Sequence, residues 1–118
     1  MKTGWDAYEP FRHEFHAIDP DYYPADYMDG QVYAGFWRCW GTPDAAILAE
    51  LKRYPSGLLE VHGVAAAGNL QAIVDLIPLA EQWGRELGAV RAVIESREGW
   101  ARLLPGYEPH QVAVRKEL

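Results

Sequence analysis

Glu60 and His62 stand two positions apart in the stretch LLEVHGVAA, residues 58–66. In an extended strand alternate side chains share a face, so this carboxylate and imidazole would point the same way, and either can accept a proton. The plainer expectation for the pair is an acidic residue and a histidine on the solvated side of a sheet. Tyr107 follows the turn residues Pro105 and Gly106, where a phenol can exchange a proton or simply cap the core. His13 and His16 are three apart, on one face of a helix if one forms there. A helical zinc motif needs a spacing of four with a glutamate between, and no third ligand is in view, so no metal site is expected. Residues 19–29, DPDYYPADYMD, are acidic, carry three tyrosines and lack the ligand spacing of a calcium loop. Few aliphatic side chains are there to offset the entropy of ordering, while tyrosine is favoured at interfaces. This arm is therefore expected to bind a protein partner or a second copy of the chain.

The elements that hold these residues must fit in 118 residues, which is one domain's worth of chain; 49% apolar content supplies a core. A net charge of -6 opposes a polyanionic partner, and no apolar run approaches the ~18 to 20 residues that span a bilayer. Neither nucleic acid nor membrane is an expected partner. The first residues, MKTGWD, have no apolar leader segment and Cys39 is the only cysteine, so an intracellular location without a disulfide is expected. Prolines at 10, 20 and 24 break residues 4–30 into short helices, one near Trp5 to His16 and one near Ala25 to Asp29. Residues 31–40, QVYAGFWRCW, alternate and are rich in strand formers, residues 45–54 follow the turn GTPD, and residues 58–66 follow PSG. The three runs predict an antiparallel meander. From Leu70 the period changes: Ile73, Val74, Ile77, Ala80, Gly84 and Leu87 recur at steps of three and four, an amphipathic helix facing the sheet. Pro78 predicts a kink or a fresh segment near Asp75, and Gly88 a stop. Residues 89–95 predict a strand, 98–104 a short helix and 111–118 a last strand, with Trp83 and Trp100 placed to pack helices on the sheet.

This order of short helices, meander, long helix, strand, short helix and strand resembles the GCN5-related N-acetyltransferase fold, an α/β (α+β) domain with a mixed sheet, over residue 31 to the end. The strings YPSG at 54–57, AEQWG at 80–84 with Gly88-Ala89, and SREGWARLLPGY at 96–107 are similar to those of small acetyltransferase-like proteins of bacteriophages and prophages. The resemblance implies one domain over residues 1–118, with residues 1–30 a shortened acceptor-side arm. It implies a base drawn from Glu60 or His62, an acid in Tyr107, and a loop that binds the pyrophosphate of acetyl-CoA through Ala66, Ala67, Gly68, Asn69 and Leu70. Such loops carry two glycines or a glycine and alanine after a Gln or Arg, because backbone amides and a helix start meet the phosphates. Residues 64–70, VAAAGNL, have one glycine and no cation. The expectation is thus a chain without a resident cofactor that binds acetyl-CoA poorly. It would be catalytically degenerate and act as a virion-associated or assembly component, in the virion or the cytoplasm of the bacterial host. The alternative is an acetyl-CoA-dependent N-acetyltransferase acting on an amine.

Overall fold

Thr42 turns the chain between the first two long strands: its Oγ1 accepts the backbone N–H groups of Asp44 and Ala45, both at 3.2 Å. The computed structural model describes residues 1–95, 102–110 and 114–118. In it β1 (Lys2–Thr3), β2 (Trp37–Thr42), β3 (Ala45–Arg53), β4 (Leu59–Gly68) and β5 (Arg91–Ile94) form one sheet in sequence order. Every neighbour pair is antiparallel except β4 and β5, which run parallel. Helices α1 (Trp5–Tyr8), α2 (Arg12–Ile18) and α3 (Ala25–Ala34) precede β2, and α4 (Leu70–Glu86) crosses over from β4 to β5.

Ala45 to Ala49 are all buried because both faces of the sheet are covered. Ala46 and Leu48 meet Tyr8, Phe15, Met28 and Val32 of the N-terminal helices, whereas Ala45, Ile47 and Ala49 meet Ile73, Leu76, Ile77 and Ala80 of α4. A strand sandwiched this way reads as continuous apolar sequence, and its burial overrides the helical propensity of Ala, Leu and Glu. The expected strands at 45–54 and 58–66, and the crossover into a parallel strand at 89–95, all form within a residue or two.

The strand expected at 31–40 begins only at Trp37. Residues 31–34 close α3 instead, because Met28 and Val32 are four apart and both buried in the core, a helical spacing the apparent alternation concealed. Gly35 then ends α3 at φ 84°, its N–H shared between the carbonyls of Gln31 and Val32, a left-handed turn suited to glycine. Pro78 lies inside α4 without starting a new segment. Gly84 lets α4 close on β4: a Cβ there would stand 2.9 Å from Cβ of Val61. Of the last expected strand, residues 111–113 lie outside the described residues, and residues 114–118 form no strand, with Val114 and Leu118 fully exposed. Two exposed apolar side chains with nothing to cover them have no sheet face to join. Most of the short helix expected at 98–104, and Trp100 with it, lies outside the described residues.

Candidate functional site

β4 is longer than its partner on one side. Its pairing with β5 runs from Glu60 opposite Arg91 to Gly63 opposite Ile94, where β5 ends, yet β4 continues to Gly68. On its other side the register with β3 slips: Ala49 faces Gly63 and Leu48 faces Ala65, so Val64 is an extra residue. Such a bulge bends the strand and adds twist, which turns the end of β4 away from β5. A cleft of about 430 Å³ opens at that parting. Residues from both faces of the sheet line it, Leu48 and Ala65 from the arm side, Ile47 and Ala66 from the α4 side. The cleft therefore passes through the sheet. Ile73 and Ile77 of α4 make its wall on one side, and Ile18 and Asp19 at the end of α2 close it on the other.

Glu60 and His62 share the arm-side face of β4, as alternation requires, but they are not solvated: 7% and 6% of their surfaces are exposed. Tyr54, Arg91 and Glu95 gather around them, which residue types alone did not reveal. His62 Nε2 is 3.0 Å from Glu60 Oε1, and the same oxygen accepts the Tyr54 hydroxyl at 2.9 Å. Arg91 donates to Glu60 Oε2 at 3.3 Å. Hydrogen bonds from His62 and then Tyr54 hold the Glu60 carboxyl below its ordinary range, so this carboxylate is a poor base and a good orienter of the imidazole. With a proton on Nε2 directed at Glu60, Nδ1 of His62 is the nitrogen with a lone pair to offer. It faces Glu95 Oε1 at 3.7 Å, and Glu95 lines the cleft. His62 thus stands just behind the cleft rim.

Tyr107 lies across the sheet from that pair. It lines the cleft beside α4, and its hydroxyl donates to Glu81 Oε2 at 2.7 Å. Burial, then this bond, raises the Tyr107 phenol above its ordinary value of 10.0, so it stays protonated, with its O–H directed at Glu81. Of the five expected cofactor residues, Ala66 lines the cleft while Ala67 is buried in the arm-side core. Gly68 adopts φ 105°, and a Cβ there would lie 2.7 Å from Cα of Ala45, so this glycine serves the close approach of β4 to the preceding hairpin. Asn69 caps α4, its side chain accepting the Ala72 N–H at 3.0 Å. Leu70 is half exposed at the helix start. Glu81, Glu95 and Asp19 escaped sequence reasoning. Glu81 sits on the same helix face as Ile73, Ile77 and Ala80, a polar residue in an apolar stripe, and that was the available signal.

No family model and no curated protein matches this sequence. Solved structures do. A GCN5-related N-acetyltransferase from Ralstonia eutropha is 17% identical with a TM-score of 0.65, covering 89% of this chain and 79% of its own. An acetyltransferase from Trypanosoma brucei is 16% identical with a TM-score of 0.60, over 80% of this chain and 77% of its own. An aminoglycoside acetyltransferase from an uncultured soil metagenomic sample is 10% identical with a TM-score of 0.64, over 100% of this chain and 98% of its own. The mixed sheet with its parallel β4 and β5 is thus the fold of the GCN5-related N-acetyltransferases.

Proposed function

We propose that the chain is an acyl-CoA-dependent N-acyltransferase. The observation that carries this reading is the cleft through the sheet, with the Tyr107 and Glu81 pair on one side and, behind the Glu95 rim of the other, His62 held by Glu60. A thioester substrate supplies an activated acyl carbon. The chain's residues fit its acyl and thiol end: Ile47, Ala66, Ile73 and Ile77 line the cleft, and beyond Gly63 the edge of β4 has no β5 residue paired to it among the described residues. A backbone edge of that kind can pair with an amide-bearing chain. The diphosphate end has less to hold it. Asn69 takes the Ala72 amide, which leaves the N–H groups of Leu70 and Gln71 at the start of α4 and no cation in residues 64–70.

In the transfer, His62 takes the proton of the attacking ammonium at Nδ1 while Glu60 stabilises the imidazolium through Nε2. The amine nitrogen forms the bond to the acyl carbon, the carbon–sulfur bond breaks, Tyr107 protonates the departing sulfur and recovers its proton from the nitrogen as the amide forms, and His62 releases the first proton to solvent. Glu60 is accordingly a positioning residue. The test is to mix the chain with acetyl-CoA and a panel of amines and follow free thiol against amide formed. The reading expects equal amounts of both, and thiol release independent of added amine would refute it.

A second reading is favoured by the sparse diphosphate end and by Tyr22 and Tyr27, which are 59% and 48% exposed. It is a protein of bacteriophage or prophage type that keeps the fold without transfer. It would work through the arm at residues 19–29 as a virion or assembly component, in the particle or in the cytoplasm of the host. Acetyl-CoA binding separates the two.

A further inference from the structure

Val64 does more than bend β4. As the extra residue in the register with β3, it lets Val64 and Ala65, neighbours in sequence, both pack on the arm-side core, where strict alternation would send one of them to α4. Both line the cleft, together with Leu48, with Ile18 at the end of α2 and with Val93, which stands opposite His62 in the register of β4 and β5. These five side chains are apolar, and most of them are left incompletely covered: Val64, Ala65 and Val93 are partly buried and Ile18 is 50% exposed. Open apolar surface inside a concavity is what an apolar ligand would cover.

Transfer of an acetyl group makes little use of this space. With Tyr107 as its proton donor the sulfur lies on the α4 side and the reacting carbon at the parting of β4 and β5, so the rest of the acyl group points to the arm side. A methyl group reaches little past the parting. The cleft, about 430 Å³, continues beyond it to Ile18 and has the size of sites that enclose a small organic ligand. Two further observations set the chemistry of what fills it. The charged side chains at that end, among the described residues, are the carboxylates of Asp19 and Glu95, which oppose a tail ending in an anion. The start of α4 offers the diphosphate no cation in residues 64–70, so a larger share of the donor's affinity must come from its apolar end.

We infer that the acyl donor carries a straight, uncharged chain longer than acetyl, of the butyryl to hexanoyl class, and that its tail lies between Leu48, Val64, Ala65 and Ile18. The inference rests on the transferase reading and concerns which thioester the cleft selects. The bonds made and broken are those of the transfer above, and the tail leaves with the acyl carbon as part of the amide. Selection comes from burial of the tail, which a two-carbon acyl group does not have.

The experiment is calorimetric titration of the full chain with acetyl-CoA, butyryl-CoA and hexanoyl-CoA, followed by turnover of the same thioesters with a panel of amines. The variants are Ala65→Phe, which fills the arm-side half from a partly buried position, and Ile18→Ser, at a half-exposed position where folding is not at stake. Each methylene taken from water strengthens binding ~2- to 4-fold, so hexanoyl-CoA should bind at least ~10-fold tighter than acetyl-CoA, with butyryl-CoA between them. A fall of ~3-fold or more in that ratio in either variant places the tail on the arm side. Equal binding of the three thioesters, or a ratio unchanged in both variants, overturns the inference. Amide formed from all three with equal efficiency refutes the longer chain and spares the transferase reading. Preferential hexanoyl-CoA binding with no amide formed supports the apolar slot and refutes transfer, and binding of none of the three refutes both.

Discussion

Asp29→Asn removes the charge that ties α3 to α2 and thereby the arm to the sheet. Asp29 accepts the Tyr8 hydroxyl at 2.7 Å, Nε2 of His16 at 2.8 Å and a forked pair from Arg12 at 2.5 and 3.1 Å. Arg12 is 40% exposed, so solvent screening leaves that pair a minor contributor. Tyr8 is fully buried, and the bonds from Tyr8 and His16 are worth ~1 kcal/mol each. Asn keeps the shape and one acceptor oxygen, so the expected loss at neutral pH is ~2 kcal/mol, or a melting temperature lower by ~8 °C for a domain of this size. Hydrogen bonds from Arg12, then Tyr8 and His16, hold the Asp29 carboxyl far below its ordinary value of 3.8. A depressed carboxylate stabilises the fold above its unfolded pKa and loses that contribution as pH falls through the folded one. The gap between wild type and variant should therefore be constant above about pH 5 and narrow progressively below about pH 4. Urea denaturation from pH 3 to pH 8 reads both. A variant within ~0.5 kcal/mol of wild type at pH 7, or a gap that persists unchanged into acid, would show that aromatic packing alone holds the arm.

Tyr107→Phe should slow transfer by ~10- to 100-fold with little change in amine KM, since it removes the proton donor and keeps the ring; steady-state kinetics check this. Because burial keeps the Tyr107 phenol protonated beyond its ordinary 10.0, the pH–rate profile should have no descending limb up to about pH 10. Gly84→Ala puts a Cβ 2.9 Å from Val61; overpacking of ~1 to 3 kcal/mol should outweigh the ~1 kcal/mol gained in helix propensity, and a lower melting temperature would confirm it. Gly68→Ala should cost ~2 kcal/mol or more, because it combines a φ of 105° with a Cβ against Ala45.

The sheet was readable where side-chain period and burial agree. Leu58 to Ala66 alternates, the α4 stripe keeps its three and four steps, and the Asn69 cap falls where a polar residue precedes an apolar helix. Residues 31–34 misled because four residues cannot distinguish alternation from the end of a helix, and the decisive contact, Val32 with the core, is tertiary. That Glu60 and His62 share a face was legible from their spacing, but their burial and the bonds on the Glu60 carboxylate came from Tyr54 and Arg91, which join from elsewhere in the chain. The cleft itself depends on an extra residue at Val64 and on where β5 ends. Neither is marked by any residue type. Asp19 and Glu95 sit in segments that look like ordinary acidic connections, and only the topology brings them to one mouth.

The most direct measurement is calorimetric titration of the intact chain with acetyl-CoA, beside the variant Ala66→Trp, which fills the cleft from a partly exposed position. Saturable binding to the wild type with a dissociation constant of ~100 µM or tighter, about 5.5 kcal/mol of binding free energy, and its loss in a variant that still melts cooperatively, is the predicted result. No saturable heat up to about 1 mM, or equal binding by the variant, would contradict a thioester site at the parting of β4 and β5.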